Sequence, residues 1–199
     1  MSKRIVVMIS GGGTNLQALI DAIADETIKN AEIVAVISNK ASAYGLTRAQ
    51  DAGIEASVFS AKPYTDAGKS REAYDADLAE KVTTYAPDLI VLAGWMRILT
   101  PAFLSHFPNK VINLHPALPG QFAGINAIER AFEAYQNGEI DHSGCMVHYV
   151  IPEVDAGPVI ADVIVPFEAN DTLDSFSTRL HIAEHALIVK AVGLALDQN

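Results

Sequence analysis

The stretch Ile5-Val6-Val7-Met8-Ile9-Ser10-Gly11-Gly12-Gly13-Thr14-Asn15 decides the fold. A short unbroken apolar run predicts a strand buried on both faces, and the glycines that close it predict a tight turn into a helix. That helix is expected over 15–24, where Leu16, Leu19, Ile20 and Ile23 recur at helical spacing, and a second apolar run at 32–38 completes a βαβ unit. The alternation continues outward. Helices are predicted near 46–52 and 71–85, the latter ended by Pro87, with strands at 55–59 and 89–93. Further strands are expected at 111–115, 145–150 and 159–165, with a helix near 126–136 ended by Gly138 and a final helix over 173–195. Strands buried on both faces and separated by helices imply an α/β, Rossmann-like fold, a predominantly parallel central sheet with helices on both faces. No repeat, low-complexity segment or linker divides the chain, so residues 1–199 are read as a single domain.

Two places in this framework carry chemistry. The glycines of the 10–15 loop let backbone N–H groups approach an anion at a helix N-terminus. The loop is not a dinucleotide fingerprint, because Leu16 stands where a third glycine belongs and the second strand ends in Ser38-Asn39-Lys40 without a ribose-binding acid. It also lacks the Gly-Lys-Ser/Thr end of a triphosphate loop, so a sugar monophosphate suits it best. The competing reading is a strand-to-helix turn capped by Thr14 or Asn15. The second place is Val111-Ile112-Asn113-Leu114-His115-Pro116. A strand's period of two puts Asn113 and His115 on one face, and Pro116 stops the strand there, at the carboxyl end where open α/β sheets bind ligands. An amide donor beside a titratable ring suits an acyl-type transfer, which must hold an oxyanion and move a proton. A strand-end histidine bonded into a turn is the competing reading. Asp155, in Asp155-Ala156-Gly157, reads by itself as a turn aspartate.

Composition sets limits. With 199 residues, 50% hydrophobic and 19% charged, the chain can bury a sizeable core. A formal net charge of −10 argues against a nucleic-acid partner, which needs a concentrated basic surface. No apolar run reaches membrane-spanning length, and the N-terminal one is too short for a signal peptide, so a cytoplasmic protein without a membrane partner is expected. The single cysteine, Cys145, cannot form an internal disulfide and lies in an apolar segment that predicts a buried thiol. His181 and His185 have the i, i+4 spacing of metal ligands but no third partner in evidence, and no metal is expected. His148 reads as a core group on its strand, Glu184 as a solvated helical position and Arg71 as a surface charge; His106 and His142 carry no signal.

Four segments, 9–17, 93–99, 113–120 and 153–160, together resemble the folate-dependent formyltransferase family, and within it the phosphoribosylglycinamide (glycinamide ribonucleotide) formyltransferases, over essentially the whole chain. The chain departs from many bacterial members at Leu118-Pro119-Gly120-Gln121-Phe122-Ala123-Gly124 and at Cys145-Met146. The resemblance implies transfer of a formyl group from 10-formyltetrahydrofolate to the glycinamide amine through a tetrahedral oxyanion, a step of purine biosynthesis, without a metal. It implies that Asn113 and protonated His115 stabilise that oxyanion, while Asp155 raises the histidine's pKa above about 6.5 and assists proton transfer through a held water. It further implies that Gly13, Thr14, Asn15 and Glu184 bind phosphoribosylglycinamide, that Arg71, Met96, Arg97, Ile98, Leu99, Asn113 and Val154 bind the folate, and that His148 lies near the active site. The expected partners are small-molecule substrates, with a monomer or homodimer as the assembly.

Alternatives remain. A methionyl-tRNA formyltransferase would be expected to carry a further C-terminal domain and an RNA-binding surface. A formyltetrahydrofolate hydrolase would use water as acceptor and is expected to carry an additional N-terminal domain. A non-catalytic sugar-phosphate sensor would use the glycine loop and leave Asn113, His115 and Asp155 without a joint role.

Overall fold

The computed structural model describes residues 2–198. Its centre is a seven-stranded sheet in the order β3-β2-β1-β4-β5-β6-β7. The strands are β1 (Lys3–Ile9), β2 (Ala31–Ser38), β3 (Ala56–Val58), β4 (Leu89–Leu92), β5 (Val111–His115), β6 (His142–Tyr149) and β7 (Val159–Pro166). Strands β1 to β5 are mutually parallel. The last two pairings, β5 with β6 and β6 with β7, are antiparallel. The predominantly parallel α/β sheet expected from the alternation is therefore present, with an antiparallel edge. The helices are α1 (Thr14–Ala24), α2 (Gly45–Asp51), α3 (Lys62–Asp66), α4 (Arg71–Thr83), α5 (Pro101–Leu104), α6 (Ala127–Gln136) and α7 (Leu173–Gln198).

The period-two pattern of the strands divides the core. Ile5, Val7 and Ile9 of β1 face one layer with Leu16 and Leu19 of α1, Phe132 of α6 and Leu180, Leu187, Ile188 and Val192 of α7. Val6 and Met8 face the other, with Tyr74, Leu78 and Val82 of α4 and Phe103 of α5. Both faces are buried, which is why the strands read as unbroken apolar runs.

The elements differ from the sequence reading mainly at their ends. α3 and α5 are single short turns that carry too little periodicity to predict, each opened by a proline at its first positions. β6 begins at His142 rather than 145, because Ser143 and Gly144 pair with Val165 and Ile164 of β7. A Cβ at Gly144 would collide with the Val163 carbonyl, so only glycine lets β7 approach there. Among the described residues no helix is long and apolar enough to cross a membrane.

Candidate active site

The carboxyl ends of β1, β4 and β5 open onto one region, and the turn between β6 and β7 reaches back to it. At its first corner the chain leaves β1 through the glycine loop. Gly13 takes the N-cap position of α1 at φ 71°, ψ 33°, a left-handed conformation, and no side chain caps the helix. The expected cap by Thr14 or Asn15 is thus not formed. The reason is close packing: a Cβ on Gly13 would stand 2.7 Å from the Cα of Gly45, and the Gly45 N–H donates to the Gly11 carbonyl at 3.1 Å. This contact docks α2 on the loop and brings in Arg48, unremarked in the sequence. Its Nε donates to the Gly12 carbonyl at 2.8 Å and its Nη1 to Gln17 Oε1 at 3.1 Å. A cleft of about 270 Å³ lies here, lined by Thr14, Gln17, Asp21, Arg48 and His185 among others. Uncapped helix N–H groups and a guanidinium make this corner suited to an anion. Asn15 Oδ1 and His185 Nε2 are buried without a protein partner.

Glu184 is not a solvated helical position. It is only 5% exposed, and its Oε2 accepts a hydrogen bond from His181 Nδ1 at 2.7 Å. That bond, stronger than the opposing effect of burial, lifts the His181 pKa above the ordinary histidine value. Among the described residues no group of three or more His, Cys, Asp or Glu side chains is placed to hold a metal ion, here or elsewhere.

The second corner gathers titratable groups. Ile112 and Leu114 of β5 point into the α7 layer, so Asn113 and His115 point to the opposite face. Antiparallel register sets His148 directly across from Asn113. The turn after β6 then returns Asp155, itself at φ 52°, over the pair. Asn113 Nδ2 lies 3.3 Å from His148 Nε2 and donates to Asp155 Oδ1 at 3.3 Å. His115 Nδ1 lies 3.3 Å from Asp155 Oδ2, and His148 Nε2 lies 3.4 Å from Asp155 Oδ1. The turn can close because of Gly157: any Cβ there would strike the Tyr149 carbonyl. His148, read from sequence as a core group, is therefore part of the cluster. Only the antiparallel register, which a one-chain pattern does not reveal, places it there.

Hydrogen-bond chemistry fixes several protons. The Tyr149 carbonyl, 2.9 Å from His148 Nδ1, can only accept, so Nδ1 carries a proton. His115 is flanked by acceptors on both sides, the Phe122 carbonyl 3.2 Å from Nε2 and Asp155 at Nδ1. Only imidazolium satisfies both. Burial nevertheless dominates: it pulls the His115 pKa down, and the charges of His148 and Arg130 add to that, outweighing the upward pull of Asp155 and the Phe122 carbonyl. The expected net rise above the ordinary histidine value is corrected. Asp155 pulls in the expected direction and is overruled by desolvation. For Asp155 itself, burial pushes its pKa up, but bonds from His148 and the Gly124 N–H, with the two rings' charges, hold it below the usual aspartate value. The Gly124 N–H donates to Oδ2 at 2.8 Å. Beside the cluster a cleft of about 330 Å³ is lined by Asp155, Gly120, Met146 and Val154, among others. Cys145 takes no part: burial pushes its thiol up to about 12.

The third group lies along the segment after β4. Met96 and Ile98 are exposed, as is Val154 on the β6–β7 turn, whereas Leu99 is buried in the core and has only backbone to offer. Arg71 donates to the Ile98 carbonyl, so the first helical residue of α4 holds the segment. The Met96 N–H donates to Ser10 Oγ at 2.8 Å, and Arg97 stacks over Tyr74 at 4.5 Å. Exposed apolar side chains and fixed backbone groups can cover and read a flat heterocycle.

The formyl transferase family matches residues 3–192. Among curated proteins the chain is 47% identical to the phosphoribosylglycinamide formyltransferase of Schizosaccharomyces pombe, covering 100% of each. It is 46% identical to that of Escherichia coli, covering 97% of this chain and 87% of the other. Among solved structures it superposes on glycinamide ribonucleotide transformylase 1 from Symbiobacterium toebii with a TM-score of 0.91 at 38% identity, covering 99% of this chain and 89% of that one.

Proposed function

The chain belongs to the formyl transferase family, and we propose that it transfers the formyl group of 10-formyltetrahydrofolate to the amine of phosphoribosylglycinamide, a step of purine biosynthesis. The observation that carries this reading is the junction of Asn113, His115 and Asp155, with His148, at the end of β5. The amine nitrogen attacks the formyl carbon, giving a tetrahedral centre whose oxygen carries negative charge. Asn113 Nδ2–H donates to that oxygen, and the positive charge of the His115 ring, whose two N–H groups face Phe122 and Asp155, stabilises it. The developing oxyanion places beside His115 a negative charge that offsets the effect of burial, so the imidazolium is favoured at the step that needs it. Asp155, held ionised, takes the proton shed by the attacking amine, directly or through a water. The bond from the formyl carbon to N10 then breaks and N10 takes up a proton, giving the formylated amine and tetrahydrofolate.

Binding divides between the two remaining corners. Gly13, Thr14 and Asn15, with Arg48, take the phosphate, and Glu184 takes the ribose hydroxyls. Arg71 and Met96, Arg97, Ile98 and Leu99, with Asn113 and Val154, hold the folate: Met96, Ile98 and Val154 by apolar cover, Leu99 by its backbone, and Arg71 by fixing the Ile98 carbonyl. The 199 residues work as one formyltransferase domain, cytoplasmic, with small molecules as partners and a monomer or homodimer as the assembly. The test is a transfer assay with both substrates. Formylated phosphoribosylglycinamide formed in stoichiometry with tetrahydrofolate is expected. Release of formate regardless of the amine would make the protein a hydrolase, and binding without turnover would make it a sensor.

A further inference from the structure

The Leu118–Gly124 segment is held by one side chain the mechanism above does not use. Arg130 sits in the first turn of α6, where a positive charge opposes the helix dipole and a carboxylate would be the ordinary choice. A break of local preference of this kind marks a residue kept for another purpose. Its Nη2 donates to the Phe122 carbonyl at 2.5 Å and to the Ala123 carbonyl at 2.7 Å, and its Nε lies 3.4 Å from the Asn126 carbonyl. The guanidinium also stands 5.9 Å from the centre of the Phe122 ring. These contacts fasten a segment in which Phe122 at φ 45° adopts the left-handed conformation that bulky residues avoid, as does Asn126 at φ 54°, a residue that tolerates it better. The same Phe122 carbonyl is the acceptor 3.2 Å from His115 Nε2, and two residues on, Gly124 N–H donates to Asp155. One guanidinium thus holds the backbone that touches both members of the His115–Asp155 pair.

We propose that Arg130 is a positioning residue, which fixes the Phe122 carbonyl and so sets the ring of His115 and the carboxylate of Asp155 in their working orientation. The proposal rests on the catalytic reading of His115 given above. A planar fork suits the task, because two neighbouring carbonyls must be held at once; a lysine ammonium is a point charge and does not reproduce it.

Two variants and two readouts test it. In ¹⁵N-labelled protein, held below the pKa of His115 so that both ring nitrogens are protonated, the Nε2–H signal should be protected from exchange in the wild type. It should exchange rapidly in Arg130→Ala, while the Nδ1–H facing Asp155 remains. Turnover should fall by up to ~10²-fold through misplacement alone, with both KM values little changed and partial recovery on adding guanidinium ion. Arg130→Lys keeps the charge and serves if the alanine variant does not fold; its Nε2–H should also lose protection. A folded variant with an unaltered Nε2–H overturns the proposal, whether activity falls or not. An altered Nε2–H with full activity leaves Arg130 as the holder of the ring and overturns instead the catalytic role of His115.

Discussion

Two histidines of this molecule each face a carboxylate, and they answer it in opposite directions. His181, half-exposed on α7, meets Glu184 at 2.7 Å and is held above the ordinary histidine pKa. His115, almost wholly buried at the end of β5, meets Asp155 at 3.3 Å and lies below it. The sign is decided by desolvation and by what else is near. Water still solvates one face of His181, and a short bond to Glu184 outweighs the part that is lost. His115 has lost nearly all of its water, its carboxylate is farther away, and that carboxylate is shared with His148, Asn113 and Gly124. A carboxylate beside a histidine is therefore not enough to make a resident imidazolium. At the catalytic corner the charged form must be completed by the reaction's own developing charge, which favours binding the transition state over the ground state.

The contrast predicts that the two pairs fail differently when broken. His115→Ala should have the largest effect, a loss of ~10²-fold or more in kcat with both substrates still bound, since it removes a charge that stabilises the transition state. Retention of near wild-type kcat would separate His115 from the chemistry and leave the two pairs alike. Next in size is Gly13→Val, in the glycine loop. Its branched side chain must adopt φ 71° against the backbone of Gly45, so KM for phosphoribosylglycinamide should rise by an order of magnitude or more while that for the folate barely moves. An equal rise for both substrates in a folded variant would argue against a phosphate-binding loop. Glu184→Gln should be milder, about tenfold in the same KM with kcat nearly unchanged, as befits one charge-assisted hydrogen bond of about 1.5 kcal/mol. A collapse of kcat there would show that the His181 pair also belongs to the chemistry.

Much of this was legible in the sequence, for physical reasons. Parallel strands buried on both faces must be apolar throughout, so β1, β2 and β4 announce themselves, and the glycines after Ser10 and the proline after His115 mark where they stop. Asn113 and His115 share a face because a strand's period is two. The sequence does not show what crosses between elements. His148 joins the cluster through antiparallel register, Arg48 through the contact of two glycines, and Arg130 through two backbone carbonyls. The pKa direction of His115 was illegible for a different reason. Its neighbours can be named from the sequence, but the extent of its desolvation is a property of the packed fold.

The subtlest expectation concerns stability against pH, where the two histidines should tilt the curve in opposite senses. His181 is raised in the folded state, so its contribution is complete below the unfolded value of about 6.5 and is lost as pH rises through its folded value. His115 is depressed, so its contribution is present above about 6.5 and is lost as pH falls through its folded value. Denaturant unfolding measured between about pH 5 and 8, where histidines titrate, should show each arm separately. His115→Ala should flatten the loss of stability on the acid side, and Glu184→Gln should flatten the loss on the alkaline side. The alkaline arm should be small, under about 1 kcal/mol, because His181 is half in water and its pair is screened. Histidine titrations by NMR give the same comparison site by site. Asp155→Asn should lower the His115 pKa further, because it removes the upward pull, and Glu184→Gln should bring His181 down toward its ordinary value. If Asp155→Asn left the His115 pKa unchanged, that carboxylate would have no electrostatic hold on the ring, and the two pairs would differ in kind rather than in their balance of burial and charge.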